Sequence, residues 1–171
     1  MFEEIKTDSL LSKQQKYDLL FKHIRSLTEG ERDLIANLSN ISSVLKNYMD
    51  GFLWAGFYFL KSHELVLGPF QGTPACVRIP LGKGVCGTAA AKASTIIVPD
   101  VNKFPGHIAC SSLSRSEIVV PVFTDNKVAA VLDVDSGEYD FFDDTDKQNL
   151  EKLCEMVSEL IKRDKNYKPF V

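Results

Sequence analysis

Four cysteines are the residues of this chain whose chemistry must be explained first. Cys76, Cys86 and Cys110 each lie within two residues of Gly, Pro or Ser in segments that we predict to be irregular, where a thiol is accessible and the backbone can adapt to a disulfide. Cys154 falls in the apolar stripe of a predicted helix, where a free cysteine commonly acts as a small buried hydrophobic residue. Before the carboxylates are considered, Cys76, Cys86 and Cys110 are equally well explained as incidental thiols without a chemical role.

A zinc site is another interpretation of the three thiols, with His107 as a fourth ligand. Zinc-binding cysteines usually come in closely spaced pairs, whereas 9 residues separate Cys76 from Cys86 and 23 separate Cys86 from Cys110. The pair of His107 and Cys110 alone is a weak signal. We therefore predict no metal and no other cofactor.

Two aspartates, Asp133 and Asp135, share one face of a predicted strand and would lie about 7 Å apart. Alternation assigns the other side chains to two faces: Ala129 and Val131 with the aspartates, and Val128, Ala130, Leu132 and Val134 opposite. Burying two like charges costs free energy unless a cation binds or one group stays protonated. A protonated carboxyl group is what an oxygen-transfer reaction needs at neutral pH. Alternatively, the pair marks a solvent-exposed strand end.

Three further residues are candidates for the same site. Glu117 opens the preceding strand of a predicted hairpin, so it would reach the same end of the sheet, although alone it would be an ordinary exposed residue. Trp54 and Tyr58 lie four residues apart on one strand and share a face, and Gly56 between them leaves a gap. Such a gap suits a small ligand with an apolar or sulfonium-like part, but core aromatic residues would give the same pattern.

Length and charge limit the classes of function. The 171 residues suffice for one domain with one core, which we predict to span residues 1–171. A net charge of −3 and a pI of about 5.6 argue against a nucleic-acid partner. The most apolar stretch, Phe52–Leu60, is far shorter than the ~20 residues of a membrane span, and the first residues lack the features of a secretory signal. We expect a cytoplasmic protein without membrane contact, in which thiols stay reduced.

Helices and strands must position these residues. Ser12–Gln15 and Thr28–Glu31 have the form of capping boxes and predict two helices, the second over about 30–49, and a C-terminal helix opens near Asp143–Thr145. The predicted hairpins are Phe52–Leu60 with Glu64–Phe70 and Glu117–Phe123 with Lys127–Asp135. Between them lie extended Cys76–Pro80, glycine-rich Gly82–Gly87, helical Thr88–Ala93, extended Thr95–Val98 and the loop Asp100–Ser116. This order predicts an α+β fold with a central, mainly antiparallel sheet and the N- and C-terminal helices packed on one side.

The candidate residues fall within a series of short motifs. These are Trp54-Ala-Gly-Phe-Tyr58, Leu67-Gly-Pro-Phe-Gln-Gly72, Ala75-Cys76, Gly82-Lys-Gly-Val-Cys-Gly-Thr88, Val98-Pro-Asp-Val101, Phe104-Pro-Gly-His-Ile-Ala-Cys110, Ser116-Glu117 and Leu132-Asp-Val-Asp135. Together they closely resemble the free methionine-(R)-sulfoxide reductases, a family built on a single GAF domain. The resemblance spans roughly residues 30–160 and is specific because three cysteines, three carboxylates and an aromatic pair fall in register.

The resemblance implies a role for each candidate. It makes Cys110 the catalytic thiol, Cys76 the principal resolving cysteine and Cys86 an additional thiol that can enter disulfide exchange. It assigns the remaining candidates to two groups: Glu117, Asp133 and Asp135 as active-site acids, and Trp54 and Tyr58 as lining of the methionine pocket. It also implies the R preference, thioredoxin as reductant and no cofactor, and it leaves a homodimer open.

The chemistry expected from this resemblance is thiol-dependent reduction of free methionine sulfoxide. Cys110 attacks the sulfoxide sulfur, Asp135 or Asp133 protonates the oxygen, and Cys110 is left as a sulfenic acid that condenses with Cys76. The remaining carboxylates hold the substrate's ammonium group. The competing hypotheses are a GAF domain that senses a small ligand or redox state without turnover, and a metal-binding or structural module.

Overall fold

Six antiparallel strands form one sheet in the computed structural model, which describes residues 11–108 and 110–164. The strands are β1 (Phe52–Lys61), β2 (Glu64–Gln71), β3 (Arg78–Pro80), β4 (Ile96–Val98), β5 (Ser116–Thr124) and β6 (Lys127–Ser136), in the spatial order β3-β2-β1-β6-β5-β4. The helices of these residues are α1 (Lys13–Thr28), α2 (Leu34–Tyr48), α3 (Gly84–Lys92) and α4 (Asp144–Arg163), with a 3₁₀ turn at Val101–Lys103. The predicted α+β class is confirmed, and both hairpins are found within one residue of their expected ends.

Helices α1, α2 and α4 cover one face of the sheet, as predicted for the N- and C-terminal helices. Their apolar side chains form one core with the central strands, and its fully buried members include Tyr17, Leu38, Leu45, Phe57, Leu132, Leu150 and Val157. Each large apolar side chain buried in this way contributes ~1.5–3 kcal/mol to the free energy of unfolding. The helix-covered face therefore supplies most of the stabilising burial.

The first predicted capping box is present, but the second is not. The Ser12 hydroxyl accepts the backbone N–H of Gln15, and the Gln15 side chain accepts the N–H of Ser12. The hydroxyl of Thr28 instead donates to the carbonyl of Ile24, because Thr28 is the last residue of α1. Asp33 caps α2. The second helix therefore begins at Leu34 and not near residue 30.

Helix α3 packs on the opposite face of the sheet. The sequence predicted a helix only from Thr88, but α3 begins at Gly84, so Cys86 lies buried in its first turn and not in an irregular, accessible segment. Gly87 explains this packing, because a Cβ atom at that position would collide with the carbonyl oxygen of Pro80. The glycines that suggested a loop therefore allow a helix to approach β3 closely.

A register shift in β6 corrects the predicted side-chain alternation. The pairing of β5 with β6 shifts between Val122 and Phe123, so that Ala129 is skipped between the partners Ala130 and Val128. As a result, Val128 packs in the core on the α3 side and Ala129 in the core on the other side, the reverse of the prediction. The alternation beyond the shift is unaffected, and it holds for the two aspartates.

The segment between β4 and β5 is irregular apart from its 3₁₀ turn, as predicted for residues 100–116, except that Ser116 already belongs to β5. This segment carries Cys110 toward the α3 side of the sheet. None of the helices among the described residues is long and apolar enough to cross a membrane.

Candidate active site

A disulfide joins the segment before β3 to the segment before β5. The Cα atoms of Cys76 and Cys110 are 5.4 Å apart, within the usual range for a disulfide, and the two Sγ atoms are bonded at 2.21 Å. Both residues are half-buried. The Tyr58 hydroxyl donates a hydrogen bond to the carbonyl oxygen of Cys76 at 3.0 Å. Two of the three cysteines selected from the sequence are thus brought together, while Cys86 remains a free thiol.

Three carboxyl groups meet on the α3 side of the sheet. Glu117 of β5 is the direct cross-strand partner of Asp135 in β6, and Asp133 lies two residues along β6 on the same face. Glu117 and Asp133 are only 6% and 7% exposed, and Asp135 is half-buried, so the alternative of a solvent-exposed strand end is wrong. The Oδ1 atom of Asp133 has no hydrogen-bond partner among the described residues. The cluster is therefore incomplete without protons or a cationic ligand.

Burial raises the pKa of all three carboxyl groups. The pKa values of Glu117 and Asp133 lie well above their ordinary range, with burial as the largest cause and neighbouring carboxylates as the next. Burial also raises the pKa of Asp135 to about 6. Because the three groups interact, their protons belong to the cluster as a whole. The raised pKa values of Glu117 and Asp133 favour their protonated forms, which can donate a proton.

Cys86 contacts the carboxyl cluster and not the disulfide. Its thiol donates to Oε1 of Glu117, with the sulfur 3.7 Å from the oxygen. Among the described residues, Cys86, Glu117 and Asp133 form the one group whose ligand atoms, all within 4.8 Å of one another, could hold a metal ion. Burial, followed by the charges of Asp133 and Glu117, raises the pKa of the Cys86 thiol well above its ordinary value. This opposes metal binding, since the thiolate is the ligand form.

The aromatic pair lies beside the disulfide. The ring centroids of Trp54 and Tyr58 are 6.1 Å apart, and the Trp54 ring also stacks on Phe70 at 5.3 Å. The Trp54 indole donates to the carbonyl of Thr73 at 3.1 Å. The predicted gap at Gly56 is not open, because Phe70 and the edge of the Trp54 ring fill the space that a side chain would occupy there. Sequence alternation within β1 gave no sign that β2 would supply this third ring.

Two small cavities flank these groups. One, of about 30 Å³, is lined by residues that include Cys86, Cys110, Glu117, Asp133 and Asp135. The other, of about 20 Å³, is lined by Trp54, Tyr58, Thr73, Pro74, Ala75, Cys110, Ser111, Asp133 and Asp135. Each has room for one or two water molecules. Cys110, Asp133 and Asp135 border both cavities, so one sulfur of the disulfide and two acids lie where a small ligand would meet the aromatic residues.

Several residues around these cavities were not selected from the sequence. They are Ile108, Ser111 and Ser114, which line the cavities, and Phe70, which stacks on Trp54; His107, considered from the sequence only as a zinc ligand, lines the first cavity. Burial lowers the pKa of His107 and so favours its neutral form. His107 and Ile108 belong to the motif that ends at Cys110, which was a usable signal. No sequence pattern distinguished Ser114, although it is buried.

Cys154 lies away from this site, in α4. It is 3% exposed, and its thiol contacts the carbonyl oxygen of Val120 at 3.9 Å. Burial raises the pKa of this thiol, with Glu151 and Glu155 adding to the effect. The prediction of a small buried hydrophobic residue is confirmed.

Comparison with known proteins identifies relatives over most of the chain. The GAF domain family model matches residues 16–161. The chain is 44% identical to the free methionine-R-sulfoxide reductase of Saccharomyces cerevisiae, covering 91% of each chain, and 42% identical to that of Escherichia coli, covering 94% of this chain and 96% of the relative. The solved structure of the Neisseria meningitidis free methionine-R-sulfoxide reductase with its substrate superposes with a TM-score of 0.87 at 47% identity, covering 91% of this chain and 93% of the other.

Proposed function

The chain belongs to the GAF domain family and, within it, to the free methionine-R-sulfoxide reductases, and from this premise we propose that it reduces free methionine-R-sulfoxide to methionine. The observation that carries the proposal is the position of the Cys76–Cys110 disulfide against the buried carboxyl cluster. This places a cysteine that can be oxidised beside carboxyl groups whose raised pKa values favour the protonated form. These are the two requirements for removing oxygen from a sulfoxide.

Cys110 is the nucleophile in this proposal. It borders both cavities, whereas Cys76 is not among the lining residues of either. The thiolate attacks the sulfoxide sulfur while an acid protonates the oxygen. The oxygen passes to Cys110, which becomes a sulfenic acid, and methionine leaves with its sulfur reduced by two electrons.

The acids divide into a proton donor and a cation site. Asp133 is the better donor, because its pKa is raised well above its ordinary value and it borders both cavities. Asp135, whose pKa is about 6, is mostly ionised at pH 7 and suits the substrate's ammonium group. Glu117 shares the cluster's proton and completes that site. Requiring a free ammonium group would exclude methionine within a protein chain.

The aromatic residues form the remaining wall. Trp54 and Tyr58 border the second cavity, so we assign them contact with the methyl and thioether end of the substrate. With the disulfide formed, the two cavities of about 30 and 20 Å³ are far smaller than an amino acid. Substrate binding therefore belongs to the reduced enzyme.

Recycling completes the proposed reaction. The Cys76 thiol attacks the Cys110 sulfenic acid, which forms the disulfide and releases water. Thioredoxin then reduces the disulfide to two thiols, and its own dithiol is oxidised to a disulfide. Cys86 is buried against Glu117 and stays reduced, as an additional thiol that can enter disulfide exchange. A reducing cytoplasmic setting is part of this proposal.

A thioredoxin-coupled assay of NADPH consumption tests the proposal, with the resolved R and S epimers of free methionine sulfoxide as substrates. The native protein should turn over only the R epimer, and Cys110→Ser should lose this turnover. Cys154→Ser serves as the matched control thiol. If folded, reduced native protein turned over neither epimer, the proposal would be wrong, and a GAF domain that binds its ligand without turnover would take its place.

A further inference from the structure

The buried carboxyl cluster has no cationic partner within the protein. Among the described residues, none of the ion pairs includes Glu117, Asp133 or Asp135. Asp133 is only 7% exposed, and its Oδ1 atom has no hydrogen-bond partner in the part of the chain that the structure describes. Buried carboxyl groups usually either stay protonated or bind a cation. The cluster is therefore a candidate site for a positively charged ligand.

The thiol of Cys86 adds a sulfur atom to two of these acids. Its Sγ atom lies 3.7 Å from Oε1 of Glu117, and the ligand atoms of Cys86, Glu117 and Asp133 all lie within 4.8 Å of one another. In a tetrahedral zinc site, with bonds of about 2.3 Å to sulfur and about 2.0–2.2 Å to oxygen, a sulfur and an oxygen ligand stand about 3.5 Å apart. Small side-chain adjustments would therefore bring all three groups onto one ion.

Three different elements hold these groups in place. Cys86 lies in the first turn of α3, Glu117 in β5 and Asp133 in β6. All three border the cavity of about 30 Å³, which has room for one water molecule or one ion of similar size. The set differs from the zinc site considered from the sequence, because it combines one cysteine with two acids and does not use Cys76.

We propose that Cys86, Glu117 and Asp133 form a zinc site, and that Zn²⁺ bound there inhibits the enzyme. One thiolate and two carboxylates are ligands that zinc accepts, and they leave its fourth position to water or to an incoming group. The inhibition rests on the proposed function, because the ion would take Asp133 from its role as proton donor and Glu117 from the site for the substrate's ammonium group. Binding of the metal does not depend on that function.

Zinc binding has to displace protons from this cluster. Burial raises the pKa values of the Cys86 thiol and of both acids, so the ion must replace their protons, which pass to water. This cost makes the site weaker than a structural zinc site whose thiols ionise easily. The site therefore suits reversible inhibition by zinc and not a resident metal cofactor.

Cobalt absorption tests the site without any turnover. Co²⁺ occupies tetrahedral zinc sites, and a thiolate ligand gives it a charge-transfer band in the near ultraviolet. The disulfide-bonded protein, whose free thiols are Cys86 and Cys154, is titrated with Co²⁺ in the absence of oxygen. We expect one Co²⁺ ion per chain with one thiolate ligand, and Zn²⁺ should displace it.

Three variants identify the ligands of the bound cobalt. Cys86→Ser should lose the charge-transfer band, and Asp133→Asn should weaken Co²⁺ binding at least about tenfold. Cys154→Ser is the matched control thiol and should give the native spectrum. Circular dichroism checks that each protein is folded. A folded native protein without the band, or a band that persists in Cys86→Ser, would overturn the zinc site.

A single turnover tests the inhibition. Fully reduced protein, freed of reductant, is mixed with free methionine-R-sulfoxide, with and without Zn²⁺ at the concentration that displaces cobalt. Relative to each protein's own rate without zinc, methionine formation should slow at least about tenfold in the native protein and less than about twofold in Cys86→Ser. Equal inhibition of Cys86→Ser would assign the effect to the Cys76 and Cys110 thiols and overturn inhibition through this site. Failure of the zinc-free native protein to form methionine would instead overturn the proposed function, and the cobalt spectrum would still decide the metal site.

Discussion

The two faces of the sheet are built from the same strands but serve different purposes. On β6, Leu132 and Val134 enter the core beneath α1, α2 and α4, while Asp133 and Asp135 point to the other face. The first face is closed by apolar contacts. The second holds buried carboxyl groups with raised pKa values, which oppose folding whenever they ionise. Alternation along one strand thus separates the residues that stabilise the fold from those that we propose to carry the reaction.

The largest expected effect is on the acid face. Asp133→Asn keeps the side-chain shape but cannot donate the proton that leaves with the sulfoxide oxygen, so kcat/KM should fall by ~10²–10⁴-fold. Steady-state kinetics with free methionine-R-sulfoxide would measure this. The exposed Asp140→Asn is the matched control. If Asp133→Asn kept the native kcat/KM, another carboxyl group of the cluster would be the proton donor.

The helix-covered face should respond in the opposite way. Leu132→Ala removes a fully buried side chain and leaves a cavity, so the free energy of unfolding should fall by about 2–5 kcal/mol. Denaturant unfolding would measure this loss, and activity per folded molecule should change little. If Leu132→Ala kept its stability but lost turnover, the assignment of stability to one face and reaction to the other would be wrong.

The pH dependence of stability sharpens the comparison. Asp135 has a folded-state pKa of about 6 against an ordinary value near 4, so its protonated form favours folding below pH ~4, and this contribution is lost as pH rises through 6. Because of Asp135, the free energy of unfolding of the native protein should fall by about 2–3 kcal/mol between pH 4 and 7. In Asp135→Asn this part of the fall should be absent. Urea unfolding of the disulfide-bonded proteins would show it. Asp125→Asn, in the exposed β5–β6 turn, should keep the native slope, and an unchanged slope in Asp135→Asn would contradict the assignment.

The smallest effect concerns the cysteine on the helix-covered face. Cys154→Ala removes a buried sulfur and its weak contact with the carbonyl of Val120, so the free energy of unfolding should fall by about 1 kcal/mol. Turnover of the R epimer should be unchanged. Thermal unfolding and the coupled assay together would check both expectations, and a large loss of turnover would place a catalytic thiol on the wrong face.

Sequence patterns predicted the features that depend on local rules. The capping box at Ser12 and the two hairpins follow from short-range hydrogen bonding and alternation, and they are found where expected. The shared face of Asp133 and Asp135 follows from the same period of two. The resemblance to a family pointed to the pairing of Cys76 with Cys110, which no local rule could supply.

The failures have tertiary causes. The closely spaced glycines suggested a loop around Cys86. In the structure Cys86 lies in α3, and Gly87 lets this helix approach the carbonyl of Pro80. The β5–β6 register shift reversed the faces of Val128 and Ala129, and nothing in an apolar run marks such a shift. The gap at Gly56 is filled by Phe70 from the neighbouring strand. Each error required knowledge of which elements pack together, which local periodicity does not contain.

The most direct test of the account is a single turnover without reductant. Fully reduced protein is mixed with one equivalent of free methionine-R-sulfoxide, quenched with acid, alkylated and mapped by mass spectrometry. We expect one methionine to form per chain and two thiols to be lost, joined as a Cys76–Cys110 disulfide, with Cys86 and Cys154 still free. Methionine formed with a disulfide that includes Cys86 but not Cys76, or with all four thiols retained, would contradict it.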